Sequence, residues 1–291
     1  MKRIMKKLGL ALGGGGLKGL AHIGILQILA ENRIPVFSIS GTSIGSLIAA
    51  LLASGMSPWE MERIALEARA SDYIDYNITG ALKYILSLYL PGYRASFDGI
   101  LKGKKLEKMV YRLTGGKTLK DVIMPLSIIA CDIDSGREII FTNQIDPPKI
   151  DQVIYVKNAL LSEAVRCSTA IPATFVPRKI YGWQAVDGGL KSMVPVKAQK
   201  MMGAEYILAV NLGQETYQEK VAGIPQIVSR AIDILGYETS DWAEGVLSDM
   251  ILFPKVNSVT IFNPQNLGQV IYAGRKAMED KVEELLRKLK Q

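Results

Sequence analysis

The sequence predicts an α/β fold in which a mostly parallel central sheet is covered by helices on both faces. Apolar strand-length runs alternate along the chain with apolar or amphipathic helical segments, and this alternation is typical of parallel sheets. The chain has 291 residues, 48% of them hydrophobic and 22% charged, which suits a globular protein with a sizeable core. We find no internal repeat or linker that divides the chain, so we expect a single domain over residues 1–291.

The first half of the chain is predicted to supply two strands and the helices that follow them. The run Leu8–Leu12 follows basic residues but leads into four glycines and Lys18. A strand and a turn explain it better than a secretory signal, which needs a small-residue cleavage site. Further along, Ser57, Pro58 and Glu60 form the capping box of a helix. The predicted strands are Leu8–Leu12 and Val36–Ser40, and the predicted helices are Leu17–Ala30, Ser46–Ala53, Pro58 to about Ala70, Gly80–Tyr89 and Gly103–Leu113.

The second half of the chain resumes the alternation after residue 120. A turn at Ser135-Gly136 is expected to join two of its strands. The predicted strands are Leu126–Cys131, Glu138–Phe141, Thr174–Val176, Gln184–Val186, Tyr206–Asn211 and Val259–Phe262, and the predicted helices are Asn158–Arg166, Pro195–Met202, Ile224–Leu235 and Leu267–Lys290. The last helix, within residues 267–291, is amphipathic. It can pack on its own domain or pair with another subunit, so a homo-oligomer is left open.

Residues 71–120 differ in composition from the rest and are expected to form a cap or lid. Six aromatic residues lie between positions 71 and 97. The stretch from Lys102 to Lys120 contains seven basic residues and a single acidic one, and the whole chain has a net charge of +7. Such an aromatic and basic segment is typical of a surface that rests on an anionic membrane. A partly buried lid with a solvated helix behind it explains the same composition.

The cysteines and the hydropathy pattern limit where the protein works. Cys131 and Cys167 form neither a disulfide framework nor a metal-ligand spacing, which favours a reducing, cytoplasmic setting. No charge-free apolar stretch reaches the roughly 18–20 residues of a membrane span, so we expect a soluble or peripheral protein. The sequence also has no Ca²⁺ loop or metal-binding cluster, and we expect no cofactor.

The first motif is a glycine-rich turn between a strand and a helix, Gly14-Gly15-Gly16-Leu17-Lys18-Gly19. Its letters fit a dinucleotide-binding loop, which requires an acidic residue at the end of the second strand. That strand ends in Ser38-Ile39-Ser40-Gly41 without an acid, so this interpretation fails. Backbone N–H groups of such a run can instead stabilise an oxyanion. A tight turn with no chemical role is an equally good interpretation of the glycines alone.

The second motif is a GxSxG sequence at a predicted strand-to-helix turn, Gly41-Thr42-Ser43-Ile44-Gly45. In a nucleophile elbow, the strained turn exposes the serine hydroxyl above the sheet and the glycines allow close packing. Ser43 is therefore our candidate nucleophile. The alternative is that Ser43 is an ordinary helix N-cap.

A serine nucleophile needs a base, and the sequence contains one histidine, His22, which precedes Ser43. His22 lies in the predicted first helix, where we expect a packed, hydrogen-bonded side chain rather than the downstream base of a hydrolase triad. A carboxylate shielded from water can serve instead. The candidate is Asp187, in the third motif Asp187-Gly188-Gly189 directly after an apolar strand. Taken alone, an Asp-Gly pair indicates no more than a loop.

Together, the three motifs resemble those of the patatin-like phospholipases, lipid acyl-hydrolases that use a Ser-Asp dyad. The resemblance covers Leu12–Leu26, Ser40–Ser46 and Ala164–Pro195. It implies a three-layer α/β/α fold in which Ser43 attacks an ester carbonyl and Asp187 accepts and returns the proton. It also implies that N–H groups of Gly14, Gly15 and Gly16 form the oxyanion hole.

The resemblance extends to the residues that support the motifs and to the substrate. Gly19, Gly41, Gly45, Gly188 and Gly189 fit the family pattern, as does the basic residue Lys18, which either fixes the loop or attracts an anionic head group. The implied substrates are phospholipids, lysophospholipids or simpler lipid esters. Independently of the resemblance, the composition of residues 71–120 leaves open a peripheral contact with an anionic membrane, and we expect no nucleic-acid partner. A lipid-binding or regulatory protein that keeps the fold but turns over little is the alternative.

Overall fold

The computed structural model describes residues 5–90, 92–213, 217, 220–256 and 266–291, with the side chains of 239–244 excepted. Nine strands form one sheet and two form a short ribbon within these ranges. The strands are β1 (Leu8–Leu12), β2 (Val36–Thr42), β3 (Gly99–Leu101), β4 (Leu126–Asp132), β5 (Glu138–Thr142), β6 (Val153–Val156), β7 (Ala173–Phe175), β8 (Arg178–Ile180), β9 (Trp183–Asp187), β10 (Tyr206–Val210) and β11 (Met250–Leu252). The ribbon pairs β3 with β7.

The helices follow the strands for most of the chain. They are α1 (Ala21–Glu31), α2 (Ile44–Ala53), α3 (Pro58–Glu67), α4 (Ala70–Tyr73), α5 (Ile78–Tyr89), α6 (Lys104–Leu113), α7 (Leu161–Ser168), α8 (Val196–Met201), α9 (Ile224–Leu247), α10 (Leu267–Glu279) and α11 (Val282–Leu289). Short 3₁₀ turns at Gly16–Leu20 and Gly188–Leu190 lie directly after β1 and β9. Within the described ranges, no helix is both long and apolar enough to cross a bilayer.

The order of the sheet confirms the predicted α/β fold with a mostly parallel sheet. The strands run β11-β10-β1-β2-β4-β5-β6, and every pairing from β11 to β4 is parallel. The predicted turn at Ser135-Gly136 joins β4 and β5 as an antiparallel hairpin. The strands β8 and β9 form a second hairpin, and β9 pairs antiparallel with β4.

Helices cover both faces of the sheet, as the side chains of β1 show. Because successive strand residues point to opposite faces, Leu10 and Leu12 join the large core cluster formed with α1, α2 and α10. Ala11, between them, belongs to a separate cluster on the other face with Val194 and Val196 at the start of α8. The sheet is therefore the middle layer of three.

Several predicted boundaries were wrong. The helix predicted at Leu17–Ala30 begins as a 3₁₀ turn, and the helix predicted to end at Leu235 continues to Leu247. The single helix predicted for 267–291 is two helices, because a break at 280–281 lets α11 bury Leu285 and Leu289 against the core. The strands β3, β6, β8 and β11 were missed, and the strand predicted at Val259–Phe262 lies outside the described residues.

Candidate active site

Ser43 occupies a strained turn between β2 and α2. Its φ of 53° and ψ of −124° differ from the extended conformation of a helix N-cap, and its side chain makes no capping hydrogen bond. The backbone N–H of Ser43 donates to Ser168 Oγ on α7 at 2.9 Å. The N-cap interpretation of Ser43 therefore fails, and its hydroxyl is available for chemistry, as in a nucleophile elbow.

The two glycines of the GxSxG motif are required by close backbone contacts. A Cβ on Gly41 would lie 2.3 Å from the carbonyl oxygen of Gly45, and one on Gly45 would lie 2.3 Å from the carbonyl oxygen of Leu12. A side chain at Gly41 would collide with the first turn of α2, and one at Gly45 would push the elbow away from β1. The motif is thus a packing requirement as well as a local turn signal.

Asp187 reaches Ser43 because two strands share one edge of β4. The strand β2 pairs with Leu126–Ile129 of β4 and ends at Thr42, opposite Ile129. The strand β9 pairs antiparallel with the next residues of β4 and ends at Asp187, opposite Ala130. Since β5 occupies the other edge of β4, β2 and β9 approach each other end to end, which brings their terminal residues together.

The two oxygens of the Asp187 carboxylate have different surroundings. Oδ1 accepts a hydrogen bond from the N–H of Gly189 at 2.8 Å, as expected of an Asp-Gly turn. Oδ2 is buried and makes no hydrogen bond of standard length to any described residue. One oxygen therefore fixes the turn, and the other is unengaged beside the serine.

Burial changes the acidity of Asp187, which is 4% exposed. Loss of hydration, with a smaller contribution from the nearby Asp233 carboxylate, raises the pKa of its carboxyl from 3.8 to about 7. The hydrogen bond from the N–H of Gly189 and the proximity of the Ser43 hydroxyl lower this pKa and so oppose part of the shift. A carboxylate with a pKa near neutrality is suited to accept and return a proton at physiological pH.

A ladder of buried hydroxyls ties β2 to the segment that follows Asp187. Ser40 Oγ donates to the carbonyl of Pro195 at 3.0 Å, and Thr42 Oγ1 donates to that of Ser192 at 2.8 Å. One step earlier, Ser38 Oγ donates to the side chain of Gln199 at 2.6 Å. These contacts hold the turn after Asp187 in register with the strand that carries Ser43.

The glycine-rich loop lies against Ser43, with a Cβ on Gly14 placed 3.4 Å from the serine Cβ. The N–H of Gly14 donates to the carbonyl of Met193 at 3.0 Å and is already used. Gly15 and Gly16 have φ values of 149° and 57°, and neither N–H donates to a residue in the described ranges outside the 3₁₀ turn that begins at Gly16. The donors left for an oxyanion are therefore those of Gly15 and Gly16.

The remaining motif residues surround this loop. A Cβ on Gly19 would overlap the side chain of Ile44, which follows the nucleophile, and one on Gly188 would lie 2.2 Å from the carbonyl of Ile129. The ammonium of Lys18 lies 5.7 Å from the centre of the Tyr217 ring. Burial raises the pKa of Asp233, and the charge of Lys18 opposes this shift. Lys18 thus takes part in the electrostatics beside Asp187.

The other candidate base and nucleophile are buried and unreactive. His22 is fully buried, with Nε2 2.9 Å from the carbonyl oxygen of Gly13, so Nε2 must carry the proton. Burial lowers its pKa from 6.5 to about 4. Burial also raises the pKa of the Cys167 thiol to about 12. The prediction that His22 is a hydrogen-bonded packing residue beside the loop is confirmed.

Ser43 opens onto an apolar cavity of about 150 Å³. The helix α2 lines it with Ile44, Leu47, Ile48 and Leu51, and the helix α6 adds Leu106, Met109 and Leu113. Among the described residues that line it, Tyr73 and Thr169 are the only ones besides Ser43 with a polar side-chain oxygen or nitrogen. A cavity of this chemistry suits a hydrocarbon chain whose polar end lies at Ser43.

The model of the patatin-like phospholipase family matches residues 10–198 of the chain. This range contains the glycine loop, Ser43 and Asp187, and it exceeds half of the sequence. The chain belongs to the patatin-like phospholipase family.

Individual relatives in this family share about a quarter of the sequence. An uncharacterized NTE family protein of Mycobacterium tuberculosis is 26% identical over 206 residues, which are 71% of this chain and 49% of that protein. Lysophospholipase NTE1 of Phaeosphaeria nodorum is 27% identical over 208 residues, 72% of this chain and 12% of that protein. The chain thus spans about half the length, or less, of these curated relatives.

A solved structure shares the fold of this chain at lower sequence identity. The structure of VipD from Legionella pneumophila superposes with a TM-score of 0.54 and 17% identity, covering 96% of this chain and 67% of that one. At this identity the likeness concerns the fold alone. It agrees with the central sheet and flanking helices described above.

The sequence did not indicate the apolar cavity or three residues that shape the site. Ser168 holds the backbone of Ser43, and Asp233 raises the pKa of Asp187. The sulfur of Met193 would lie 2.8 Å from a Cβ on Gly14, and its methyl group would crowd one on Gly189. Helical spacing in α2 and α6 could have indicated an apolar wall. No local signal places Asp233, because its electrostatic effect on Asp187 depends on the tertiary structure alone.

Proposed function

We propose that the chain is a lipid acyl-ester hydrolase that uses Ser43 and Asp187 as a catalytic dyad. The observation that carries this proposal is their arrangement. Ser43 is a non-capping serine on a strained turn, close to the buried Asp187 whose Oδ2 has no hydrogen-bond partner, and it lines an apolar cavity. The family supports hydrolysis of phospholipids, lysophospholipids or simpler lipid esters. We treat residues 1–291 as one domain.

The first half-reaction forms an acyl-serine. Ser43 Oγ attacks the ester carbonyl carbon while its proton passes to Oδ2 of Asp187, and the carbonyl oxygen becomes an oxyanion. When the tetrahedral intermediate collapses, the bond to the leaving alcohol breaks and Asp187 returns the proton to that oxygen. In the second half-reaction, water attacks the acyl-serine, Asp187 takes the water proton, and the proton then returns to Ser43 Oγ as the fatty acid leaves.

The oxyanion is stabilised in this proposal by the N–H groups of Gly15 and Gly16. Two free N–H groups at a helix N-terminus are oriented before the charge develops, so little reorganisation is needed. The N–H of Ile44, at the first turn of α2, adds a third donor of the type used in nucleophile elbows. We exclude Gly14 from this set because its N–H donates to Met193.

The substrate side of the proposal depends on the cavity. Each methylene that leaves water for such a cavity contributes about 0.8 kcal/mol. Binding of the acyl chain therefore favours lipid esters over short esters. A relative named as a lysophospholipase supports the same substrate class.

The test is labelling with a fluorophosphonate probe, which reacts with activated serines. We expect the wild-type chain to be labelled and Ser43→Ala to be unlabelled, with hydrolysis of a p-nitrophenyl ester lost by about 10⁴-fold or more. Ser54→Ala, at the end of α2, is the matched control and should label normally. A folded wild-type chain that binds lysophospholipid but neither labels nor turns over would instead be a lipid-binding protein, and the hydrolase proposal would be rejected.

A further inference from the structure

The helix α5 presents its apolar side to solvent. Its apolar stripe repeats at the spacing of one helix face and consists of Ile78, Leu82, Ile85, Leu86 and Tyr89, which we call the α5 stripe. The exposed fractions of these residues range from 43% at Leu86 to 79% at Tyr89. None of the α5 residues, all of which the structure describes, is buried. Surface helices normally bury such a stripe against the core, so the α5 stripe is suited to a partner.

The intramolecular contacts of α5 come from its opposite side. Ser87 Oγ hydrogen-bonds the carbonyls of Tyr84 and Ala95, at 2.7 and 3.5 Å. The ring of Tyr84 lies 6.5 Å from that of Phe97. At 100° per residue, Ser87 lies half a turn away from Ile78. The helix is thus anchored through its small and polar side, which leaves the α5 stripe facing outward.

A basic helix is fixed next to the start of α5. The Asp75 carboxylate accepts hydrogen bonds from the N–H groups of Gly103 and Lys104, at 2.7 and 3.0 Å. The side chain of Lys105 donates to the carbonyl of Ser71 at 2.8 Å. The start of α6 is therefore hydrogen-bonded to the residues that precede α5, and we call this contact the junction.

The helix α6 is amphipathic in a way that links this junction to the active site. Leu106, Met109 and Leu113 form one face and line the cavity at Ser43. Lys104, Lys108 and Arg112, four residues apart, form an exposed basic row on the other side. Tyr73 and Ile74, just before the junction, also line the cavity. The α5 stripe, the basic row and one wall of the cavity thus all lie within residues 73–113.

We propose that this region docks on an anionic lipid bilayer, with the α5 stripe inserted among the acyl chains and the basic row of α6 against lipid phosphates. An apolar helix face with an adjacent row of cations is the arrangement that binds anionic membrane interfaces. Tyr89 suits the head-group region. This inference rests on the proposed function in one respect: docking would place the wall at Tyr73 and Ile74 at the membrane, so that an acyl chain enters without crossing water.

The test is co-sedimentation with vesicles of phosphatidylcholine alone or with 30% phosphatidylglycerol, about a third of the lipid being anionic. We expect wild type to bind the anionic vesicles at least about tenfold more tightly, with binding weakened by salt. Leu82→Glu with Ile85→Glu should abolish binding to both vesicles. Lys104→Gln with Lys108→Gln should remove only the preference for anionic lipid. Ile145→Glu, at an isoleucine that is 91% exposed in another loop, is the matched control.

Activity on two substrates separates this inference from the proposed function. The α5 variants should lose about tenfold or more on lysophospholipid in vesicles but keep wild-type turnover of p-nitrophenyl butyrate in solution. If butyrate is not hydrolysed by any form, the proposed function fails while vesicle binding still tests the docking surface. Wild-type vesicle binding by Leu82→Glu with Ile85→Glu would overturn the inference. So would a lipid-free dimer that this variant converts to a monomer, because the stripe would then pair with a second copy.

Discussion

The region around Ser43 and Asp187 and the helix α5 differ in which side chains they bury. Around Ser43 and Asp187, polar side chains are buried, and Ser40 and Thr42 each donate to a carbonyl of the segment after Asp187. At α5, large apolar side chains are exposed and the helix is held by a few contacts on its polar side. Removal of water from around a carboxylate raises its pKa. Exposure of a large apolar area favours association with a partner such as lipid. Each region therefore departs from the usual burial pattern in the direction that its proposed role requires.

The largest effect is expected where the dyad is broken without changing its shape. Asp187→Asn should lower hydrolysis of p-nitrophenyl butyrate by about 10³-fold or more, because an amide cannot accept the Ser43 proton. The fold should be retained, since the amide oxygen can still accept from Gly189. If Asp187→Asn keeps more than a tenth of wild-type activity, Asp187 is not the base.

The same variant should be more stable than wild type above neutral pH. The pKa of Asp187 is about 7 in the folded protein against 3.8 in the unfolded chain, so the unfolded state ionises first. The contribution of Asp187 to stability is therefore lost as pH rises from about 4 through 7. We expect urea unfolding at pH 8 to show Asp187→Asn stabilised by about 1–3 kcal/mol. If the difference in unfolding free energy between Asp187→Asn and wild type were the same at pH 5 and pH 8, Asp187 would be an ordinary, hydrated carboxylate.

The pH profile of kcat/KM tests the environment of the dyad in the intact protein. Asp187 acts as a base only when ionised, so kcat/KM for a soluble ester should fall about tenfold per unit below pH 7. Because the carboxyl is half ionised at pH 7 and about 1% ionised at pH 5, this gives about a fiftyfold loss between these two pH values. The α5 double variant should show the same profile, because the exposed helix does not contact the dyad. A profile flat to pH 5 would contradict the raised pKa of Asp187.

A smaller effect is expected from shortening the cavity without touching Ser43. Ala65 of α3 lines the cavity, and Ala65→Phe should place a ring in the space for the acyl chain. We expect the ratio of activity on a twelve-carbon ester to activity on a four-carbon ester to fall about tenfold. This factor corresponds to the burial of about two methylene groups that the variant can no longer accommodate. Leu66→Phe, at the next position and exposed, should leave the ratio unchanged. An unchanged ratio in Ala65→Phe would place the acyl chain elsewhere.

The smallest effect is expected from replacing His22 by a residue that keeps its hydrogen bond. His22→Gln should keep activity within about fivefold of wild type, since an amide N–H can replace Nε2 as donor to the carbonyl of Gly13. His22→Leu should lose about tenfold or more, because that carbonyl would be left buried without a donor. If His22→Gln were as inactive as Ser43→Ala, the assignment of the base to Asp187 would be wrong.

The mostly parallel sheet, most of the helices and the position of Ser43 at a strand-to-helix turn could be predicted from the sequence because their causes are local. Apolar periodicity predicts strands and helices, and Gly41 and Gly45 indicate an elbow because only glycine fits so close to β1 and the next turn. The short strands β3, β6, β8 and β11 could not be predicted in this way. Each forms through pairing with a distant segment rather than through its own pattern.

By itself, the sequence determined that Ser43 lies at a strand-to-helix turn and that no histidine follows it. These facts, with the family resemblance, were enough to select Asp187. Only the tertiary structure decided that β2 and β9 meet end to end along β4, and that Oδ2 of Asp187 is left unengaged. It also decided that the N–H of Gly14 is used by Met193 and that the α5 stripe faces solvent. These features depend on contacts between residues far apart in the chain, which no local pattern encodes.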